Sequence, residues 1–240
     1  MSVLAIIPAR SGSKGIPGKN KRLFNGIPLI EYSVQSALKA QKLELIVIST
    51  DDSDIIESYK NRPRIKVRER PSNISKDKSP VYETIYDVLN KYKDEIKEKT
   101  IKLVMLLQPT SPIRTSLDID KSIDLLQKNK DYNSLVSVCE MEDVHPGRMY
   151  WLNKDGSLKN IMPKFENTRR QENPPVYFRN GAIYLTSIKK IHETSMILNE
   201  PILPYKMSSD FLLNIDGKRD LIISDSILKA WEKEINIENN

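Results

Sequence analysis

The 240-residue chain contains a single cysteine, Cys139, and only two histidines, His145 and His192. One cysteine excludes an internal disulfide framework, and we expect Cys139 to be a small buried side chain in a protein of the reducing cytosol. The histidines lie far apart, without the spacing of a zinc site or of a Ser-His-Asp or Cys-His arrangement. Any chemistry of this chain is therefore expected to need no protein nucleophile.

Long apolar runs are also missing. No uncharged apolar segment approaches the length of about 18 residues that spans a bilayer. The apolar stretch near the amino terminus is very short and leads into a basic loop, which predicts no signal peptide. With 39% hydrophobic and 29% charged residues, the composition is that of a soluble globular protein, and we expect a cytoplasmic location.

The formal net charge of +6 permits nucleic acid as a partner without requiring it. Most lysines alternate with acids, as in residues 91–99 (KYKDEIKEK), which is typical of a solvated helix face. The interleaved aromatic and basic residues of an RNA-binding surface are absent. The exception is a basic cluster near the amino terminus, which favours a small phosphorylated ligand.

Predicted strands and helices alternate through the first part of the chain. Strands are predicted at residues 2–8, 44–50, 64–68, 101–107 and 134–138, and helices at 27–41, 52–60, 80–98 and 117–129. This order predicts an α/β fold, a three-layer, mostly parallel sheet with helices on both faces. Ligands of such sheets bind beyond the carboxyl ends of the strands, which directs attention to the loops at 8–22, 49–54, 69–80 and 108–116.

The alternation stops after residue 139. Residues 149–161 predict a hairpin around the turn 153–156 (Asn-Lys-Asp-Gly). A polar, arginine-rich stretch follows, and the strand pattern returns at 181–186 before a last predicted helix at 218–235. We therefore predict a catalytic domain formed by residues 1–139 and 180–240, with residues 140–179 as an inserted element of functional or interface character.

The first predicted strand leads into a glycine-rich basic loop, residues 4–22 (LAIIPARSGSKGIPGKNKR). Glycines let backbone N–H groups approach phosphate oxygens and permit positive φ angles. A loop of this kind suits a polyanion, and a basic surface turn is the alternative. The residues concerned are Gly12, Gly15 and Gly18 with Arg10, Lys14, Lys19, Lys21 and Arg22.

Polar residues follow the other predicted strands. Residues 108–114 (QPTSPIR) suit a stiff ligand-binding loop, or a connection in which Ser116 caps the next helix. Asp51 and Asp52 could bind a metal, but we favour helix capping. Asp216 is either a Mg²⁺ ligand or a cap. The arginines of 169–171 (RRQ) and Arg179 suit carboxylate or phosphate binding, or a solvated surface.

Taken together, these motifs resemble the N-acylneuraminate cytidylyltransferases, also called CMP-sialic acid synthetases. The segments that carry the resemblance are IIPARSGSKGIPGKN, VISTDD, RPSNISKD, LQPTSPIR, the His-Pro at 145–146, RRQ and NGAIY, in that order. The resemblance extends from about residue 3 to 225. It implies a Rossmann-like nucleotidyltransferase in which the anomeric hydroxyl of a nonulosonic acid attacks the α-phosphate of CTP and pyrophosphate leaves.

The resemblance also implies roles for individual residues. Lys19 is the first choice for neutralising charge at the reacting phosphate, and Asp216 is the implied Mg²⁺ ligand. The insertion matches an element that crosses to a second subunit, so a homodimer is implied. The triphosphate-binding residues are Arg10, Ser13, Lys14 and Lys19; those near cytidine are Asn20, Arg70 and Ser79; those on the sugar side are Gln108, Arg148, Arg170 and Tyr184.

One position departs from the family pattern. The family commonly carries Asp-x-Asp at its metal motif, whereas this chain has Asn214-Ile215-Asp216. Asparagine is a neutral and weaker Mg²⁺ ligand, so Asn214 could ligate directly, through water or not at all. Asp216 could activate the attacking hydroxyl directly or through its Mg²⁺.

Two other functions stay open on the sequence. The same fold serves enzymes for other sugars, including legionaminate, pseudaminate and 3-deoxy-manno-octulosonate, or for another nucleotide. A non-catalytic nucleotide- or RNA-binding module would bind its ligand without turnover. Measuring pyrophosphate release with a panel of sugar acids and nucleotides distinguishes these possibilities.

Overall fold

The computed structural model describes residues 2–12, 15–141 and 144–238, leaving aside the side chains of Arg170 and of residues 236–238. No described helix combines the length and apolarity that crossing a membrane requires. The strands are β1 (Ser2–Pro8), β2 (Leu23–Phe24), β3 (Ile27–Pro28), β4 (Leu43–Thr50), β5 (Ile65–Glu69), β6 (Ile101–Leu106), β7 (Ser134–Glu140), β8 (Tyr150–Leu152), β9 (Leu158–Asn160), β10 (Tyr177–Ser187) and β11 (Ile202–Met207). The helices are α1 (Leu29–Lys39), α2 (Ser53–Tyr59), α3 (Val81–Lys91), α4 (Lys93–Glu98), α5 (Ser116–Lys128), α6 (Ile188–Thr194) and α7 (Lys218–Glu238).

Seven strands form one central sheet in the order β11-β7-β10-β6-β1-β4-β5. β1 is parallel to β4 and β6, β5 is parallel to β4, and β11 is parallel to β7. β10 alone among these strands is antiparallel to its neighbours, β6 and β7. The predicted mostly parallel sheet is confirmed. Its antiparallel strand begins at the edge where the other strands end.

The two faces of the sheet carry different sets of helices. Val3, Ala5 and Ile7 of β1 pack in one core cluster with residues of α1, α2 and α5. Leu4 and Ile6 pack on the opposite face with residues of α3 and α6. This alternation follows from the two-residue period of a strand that is buried on both sides. The predicted three-layer architecture is therefore confirmed.

A third apolar cluster lies apart from the two faces of the sheet. It joins Ile16 of the first loop and Leu29 of α1 to Leu213, Ile215 and Leu228 near the other end of the chain. These side chains are at most 3% exposed. The segment that carries Asp216 is thereby anchored beside the glycine-rich loop.

Some elements differ from their sequence-based predictions. The helix predicted at 80–98 is broken at Tyr92 into α3 and α4, and helix α1 begins only at Leu29 because residues 27–28 pair with β2. Strand β11 and helix α6 were not predicted. β11 lies at the edge of the sheet and contains Pro204, which weakens the strand signal in the sequence.

Between β7 and β10 the chain leaves the central sheet. The predicted hairpin is confirmed: β8 pairs antiparallel with β9, and Gly156 takes a φ of 84° in the turn between them. At its base, His145 Nδ1 accepts a hydrogen bond from Gly147 N at 3.0 Å, and the imidazole packs edge-on against Phe165. The division into a catalytic domain and an inserted element stays a prediction.

Candidate active site

A cleft of about 440 Å³ lies at the carboxyl edge of the sheet. Its walls come from the loops after β1 and β6, the segment between β5 and α3, and the residues before α7. Many of the predicted site residues line this one cleft: Arg10, Lys19, Asn20, Arg70, Ser79, Gln108 and Asp216. The structure therefore brings together side chains that are distant in sequence.

The loop after β1 is held by its own backbone and by buried contacts. Ala9 N donates to Ser49 O at 2.9 Å, and the buried Asn20 donates its amide to Arg10 O at 3.0 Å. A short 3-10 turn, Lys19–Lys21, follows Gly18, which has a φ of 62°. Asn20 thus fixes the loop while lining the cleft. The predicted Ser13 and Lys14 lie outside the described residues.

Lys19 and Asp216 form an ion pair across the cleft. Lys19 Nζ lies 2.9 Å from Asp216 Oδ1, and the Lys19 side chain is 11% exposed against 69% for Asp216. The lysine is therefore largely desolvated, while the carboxylate remains open to the cleft. An ammonium in such surroundings acts more strongly on a nearby anion than it would in bulk water.

The other cations of the cleft are also engaged by the protein. Arg10 pairs with Asp77 in the segment between β5 and α3. Arg70 donates from Nη2 to Ser49 O at 2.8 Å and from Nε to Ser49 Oγ at 3.1 Å. Because Arg70 is buried, desolvation lowers the pKa of its guanidinium. Arg70 thus joins the ends of β4 and β5 at the edge of the cleft.

The loop that carries Gln108 is built around Arg114. This arginine is 1% exposed and donates to Ser111 O at 2.9 Å and to Ala182 O at 2.7 Å. Burial lowers the pKa of Arg114 to about 9, so the side chain stays charged at neutral pH. Arg114 therefore fixes the loop against β10 through backbone carbonyls.

The capping alternatives have mixed outcomes. Asp52 accepts from Asp54 N and Ile55 N at the start of α2, which confirms capping there. The expected cap at Ser116 is wrong: α5 starts there, and Thr115 caps it in a reciprocal arrangement with Asp118. At the start of α7, the carboxylate that accepts backbone hydrogen bonds is not Asp216 but that of the unpredicted Asp220 in the first turn, which accepts from Asp216 N and Gly217 N.

Candidate metal ligands are sparse. Asp51 accepts from Ser11 N at 2.7 Å and from Ser11 Oγ at 3.0 Å, and it does not line the cleft. Within residues 2–12, 15–141 and 144–238, no group of three or more His, Cys, Asp or Glu side chains is arranged to hold a metal ion. Asp216 is the one acidic residue among the described residues that line the cleft.

Several predicted residues lie away from the cleft. Tyr184 is in the core of the sheet, where burial raises its pKa, with the guanidinium of Arg179 5.6 Å from its ring centre. Arg148 is exposed on the insertion, and the Arg170 side chain is outside the described part. Asn214 accepts a hydrogen bond from Ser111 Oγ at 2.6 Å. Substrate-binding roles for these residues stay predictions.

Sequence reasoning missed part of the wall. Val81 and Thr84, in the first turn of α3, line the cleft but were not among the predicted residues. Thr84 is 3% exposed, so its hydroxyl belongs to the inner wall. Val81 directly follows the loop 69–80 and Thr84 lies one helical turn further on, so the prediction of a ligand-binding loop there indicated this part of the wall.

The backbone of Gly15 lies close to that of Asp216. A Cβ there would overlap the backbone oxygen of Asp216, whereas a Cβ at Gly12 would meet only Arg10 Nη1, at 3.8 Å. We expect Gly15→Ala to lower the free energy of unfolding by about 1–3 kcal/mol, the usual cost of overpacking. Urea denaturation measures the change, with Gly12→Ala as the matched control. Equal stability of the two variants would show that Gly15 and Asp216 do not touch.

Comparisons with known proteins agree on one family. Residues 4–200 match the family model described as cytidylyltransferase. A CMP-N,N'-diacetyllegionaminic acid synthase from Legionella pneumophila is 32% identical over 98% of this chain and 100% of its own length. An N-acylneuraminate cytidylyltransferase from Streptococcus agalactiae is 30% identical over 92% of this chain, which spans only 52% of that protein.

The fold is shared more widely than the sequence. A solved CMP:2-keto-3-deoxy-manno-octonic acid synthetase, complexed with CTP, superimposes with a TM-score of 0.69 at 15% identity. The superposition covers 96% of this chain and 99% of the other. It confirms the Rossmann-like α/β fold. With the family model matching most of the sequence, the chain belongs to the cytidylyltransferase family.

Proposed function

We propose that this protein transfers CMP from CTP to the anomeric hydroxyl of a nonulosonic acid, giving a CMP-sugar and pyrophosphate. The observation that carries the proposal is the cleft that Lys19 and Arg10 line together with Asp216. Cations of this kind suit a triphosphate. The full-length similarity to a CMP-N,N'-diacetyllegionaminic acid synthase supports a nonulosonic acid as acceptor.

The proposed mechanism depends on positioning and charge. The acceptor hydroxyl oxygen attacks the α-phosphorus, the bond from that phosphorus to the β-bridging oxygen breaks, and pyrophosphate carries away the electron pair. Lys19 and Arg10 stabilise the negative charge of the triphosphate and of the leaving group. Asp77 and Asp216, which pair with these cations in the free protein, give them up to the phosphates.

Different parts of the cleft are proposed to hold different parts of the substrates. Asn20, Arg70 and Ser79 lie on the proposed cytidine side, and Gln108 on the proposed sugar side, as in the family that the sequence resembles. Asp216 is proposed either to take the proton of the attacking hydroxyl or to hold a metal that lowers the pKa of that hydroxyl. Arg148, Arg170 and Tyr184 are proposed to complete the sugar site from beyond this cleft.

We propose that Mg²⁺ enters the site with the triphosphate. Mg²⁺ is usually bound through one or two carboxylates together with substrate phosphates, and Asp216 offers one open carboxylate to the cleft. The residues therefore fit a metal that is shared with CTP rather than held by a protein cage. When bound, the metal supplies positive charge against the triphosphate.

A pyrophosphate-release assay tests the proposed function. Release should require CTP, a nonulosonic acid and Mg²⁺ together, with N-acetylneuraminate, legionaminate and pseudaminate compared as acceptors. Turnover with 3-deoxy-manno-octulosonate alone, or with another nucleotide, would assign a different sugar nucleotidyltransferase. Binding of CTP or RNA without any pyrophosphate release would contradict the proposal and favour a binding module.

We further propose that two copies of the chain associate through the insertion. Large exposed apolar side chains of the described residues are concentrated there, and Trp151, Leu152 and Leu158 are at least 64% exposed. Apolar surface of this kind is typical of protein–protein contacts. A homodimer would bring residues such as Arg148 near the partner's cleft, as the family resemblance implies.

Substitution at Trp151 tests this association. We expect Trp151→Glu to weaken the dimer by about 2 kcal/mol or more, because a charge would replace a large apolar side chain at the proposed contact. Light scattering across a dilution series measures the change. Ile222→Glu is the matched control, since Ile222 is 75% exposed but lies on α7, outside the insertion. A monomeric wild-type protein would contradict the proposal.

We also propose a cytoplasmic location, because CTP is supplied in that compartment and the single cysteine, Cys139, is free and buried. Cell fractionation with an antibody against the chain tests this location. Recovery in an extracytoplasmic fraction would contradict it.

A further inference from the structure

The residues before α7 are joined to the loop that carries Gln108. Ile215 N donates to Thr110 O at 2.8 Å, and Ser111 Oγ donates to Asn214 Oδ1 at 2.6 Å. Ser111 is 2% exposed, so its hydroxyl is held inside the protein. One backbone bond and one side-chain bond thus connect neighbouring residues of two segments that are far apart in sequence.

Asn214 is partly buried, and its amide oxygen lies against protein atoms. Besides Ser111 Oγ, it lies 3.3 Å from where a Cβ of Gly181 would be, and Gly181 takes a φ of 78° within β10. Asn214 does not line the cleft, whereas Asp216 does. The side-chain oxygen that would have to reach a metal therefore accepts a hydrogen bond from Ser111 instead.

Two groups of the proposed chemistry depend on the segments joined here. Gln108 lies three residues before Ser111, and Asp216 lies two residues after Asn214. Since both Gln108 and Asp216 line the cleft, their separation depends on how firmly these segments are held together. A displacement of about 1 Å at a reacting centre can cost about a hundredfold in rate.

We infer that Asn214 is a positioning residue, not a metal ligand: its hydrogen bond to Ser111 fixes Asp216 relative to Gln108. An amide suits this place because it accepts the hydrogen bond from Ser111 without bringing a carboxylate charge close to the side-chain oxygen of Gln108. The inference rests on the proposed function for its catalytic consequence. The hydrogen bond itself can be tested without substrates.

Four proteins test the inference: wild type, Ser111→Ala, Asn214→Ala and the double variant. We expect each single substitution to lower kcat about tenfold and the double variant to lose no more than either single one, since the two residues act through one contact. The KM for CTP and the Mg²⁺ concentration for half-maximal rate should stay within about twofold of wild type. Ser122→Ala is the matched control, because Ser122 is a buried serine that donates to Ile119 O within α5.

Two measurements do not depend on turnover. Urea unfolding of the same proteins should show that the two substitutions are not additive in stability. Calorimetric titration with Mg²⁺ and CTP, without sugar acid, should give the same affinity for wild type and Asn214→Ala. If wild type releases no pyrophosphate, the proposed function fails, and these measurements still decide on the hydrogen bond and the metal.

Three results would overturn the inference. They are additive losses in the two single variants, weaker Mg²⁺ binding in Asn214→Ala but not in Ser111→Ala, and full turnover in Ser111→Ala. The last result counts even if Asn214→Ala does not fold, because Ser111 does not line the cleft and can act on turnover only through its partners.

Discussion

Lys19→Ala is expected to lower kcat by about 30- to 1,000-fold, or about 2–4 kcal/mol of transition-state stabilisation. The side chain is 11% exposed, so its charge acts in surroundings with little water. Its removal takes away the preorganised cation that we propose to lie nearest to the departing pyrophosphate. Pyrophosphate release at saturating CTP, sugar acid and Mg²⁺ measures the loss.

The neighbouring lysine gives a matched control. Lys21 belongs to the same 3-10 turn and pairs with Asp54 at 2.6 Å, but it does not line the cleft. Lys21→Ala should therefore leave kcat unchanged within about twofold. The Lys21–Asp54 pair is exposed, and exposed ion pairs contribute little to folding, so Lys21→Ala should not change the free energy of unfolding by more than about 1 kcal/mol. Near-normal turnover of Lys19→Ala would remove Lys19 from the mechanism.

Asp216→Ala is expected to abolish Mg²⁺-dependent turnover. Asp216 is the acidic residue of the described cleft wall, so no other described carboxylate in that wall can hold the metal or take the proton. Without metal, CTP should bind the variant no more weakly than wild type, because Lys19 loses its competing partner. Pyrophosphate release over a series of Mg²⁺ concentrations, together with calorimetry of CTP alone, measures both effects.

Asp54→Ala is the control for this substitution. Asp54 is 71% exposed and also pairs with a lysine of the first loop, yet it lies outside the cleft lining, so the variant should keep wild-type turnover. If extra Mg²⁺ restored Asp216→Ala to wild-type activity, the metal would belong elsewhere. Asp51, which Ser11 binds through both its backbone N–H and its hydroxyl, would be the next candidate.

The sequence predicted the centre of the sheet well because its strands are short, buried and rich in β-branched residues. The segment predicted at 2–8 is the observed β1, and the one predicted at 44–50 differs from β4 by one residue. These strands lie side by side and are packed on both faces, so their apolar runs reflect the environment directly. Because strands and helices alternate along the chain, the sequence also predicted that the ligand-binding loops lie at the carboxyl edge of the sheet.

Tertiary partners could not be read from the sequence. The chain has 32 acidic residues, and nothing local indicates that Asp77 should meet Arg10 or that Asp216 should meet Lys19. These partners lie 67 and 197 positions apart. The contact of Asn214 with Ser111 has the same origin, since it depends on how β10 and the residues before α7 pack around Gly181.

Tyr184 illustrates a different limit. Its motif suggested a contact with the sugar, and strand β10 was predicted from the same residues. β10 lies between β6 and β7, however, and Tyr184 is 9% exposed in the core beside Arg179. The burial of Tyr184 depends on the strands beside β10, which its motif does not identify, and its contact with the sugar stays a prediction.

The third apolar cluster has a consequence for the order in which the molecule is made. It packs Ile16 against Leu213, Ile215 and Leu228, which leave the ribosome long after the strands of the central sheet. Domains fold progressively as the chain emerges, and contacts between distant segments close last. A nascent chain can therefore assemble β1, β4 and β6 while its glycine-rich loop still lacks the support of that cluster. The proposed CTP site is therefore completed only after the residues around Leu213 and Leu228 have emerged.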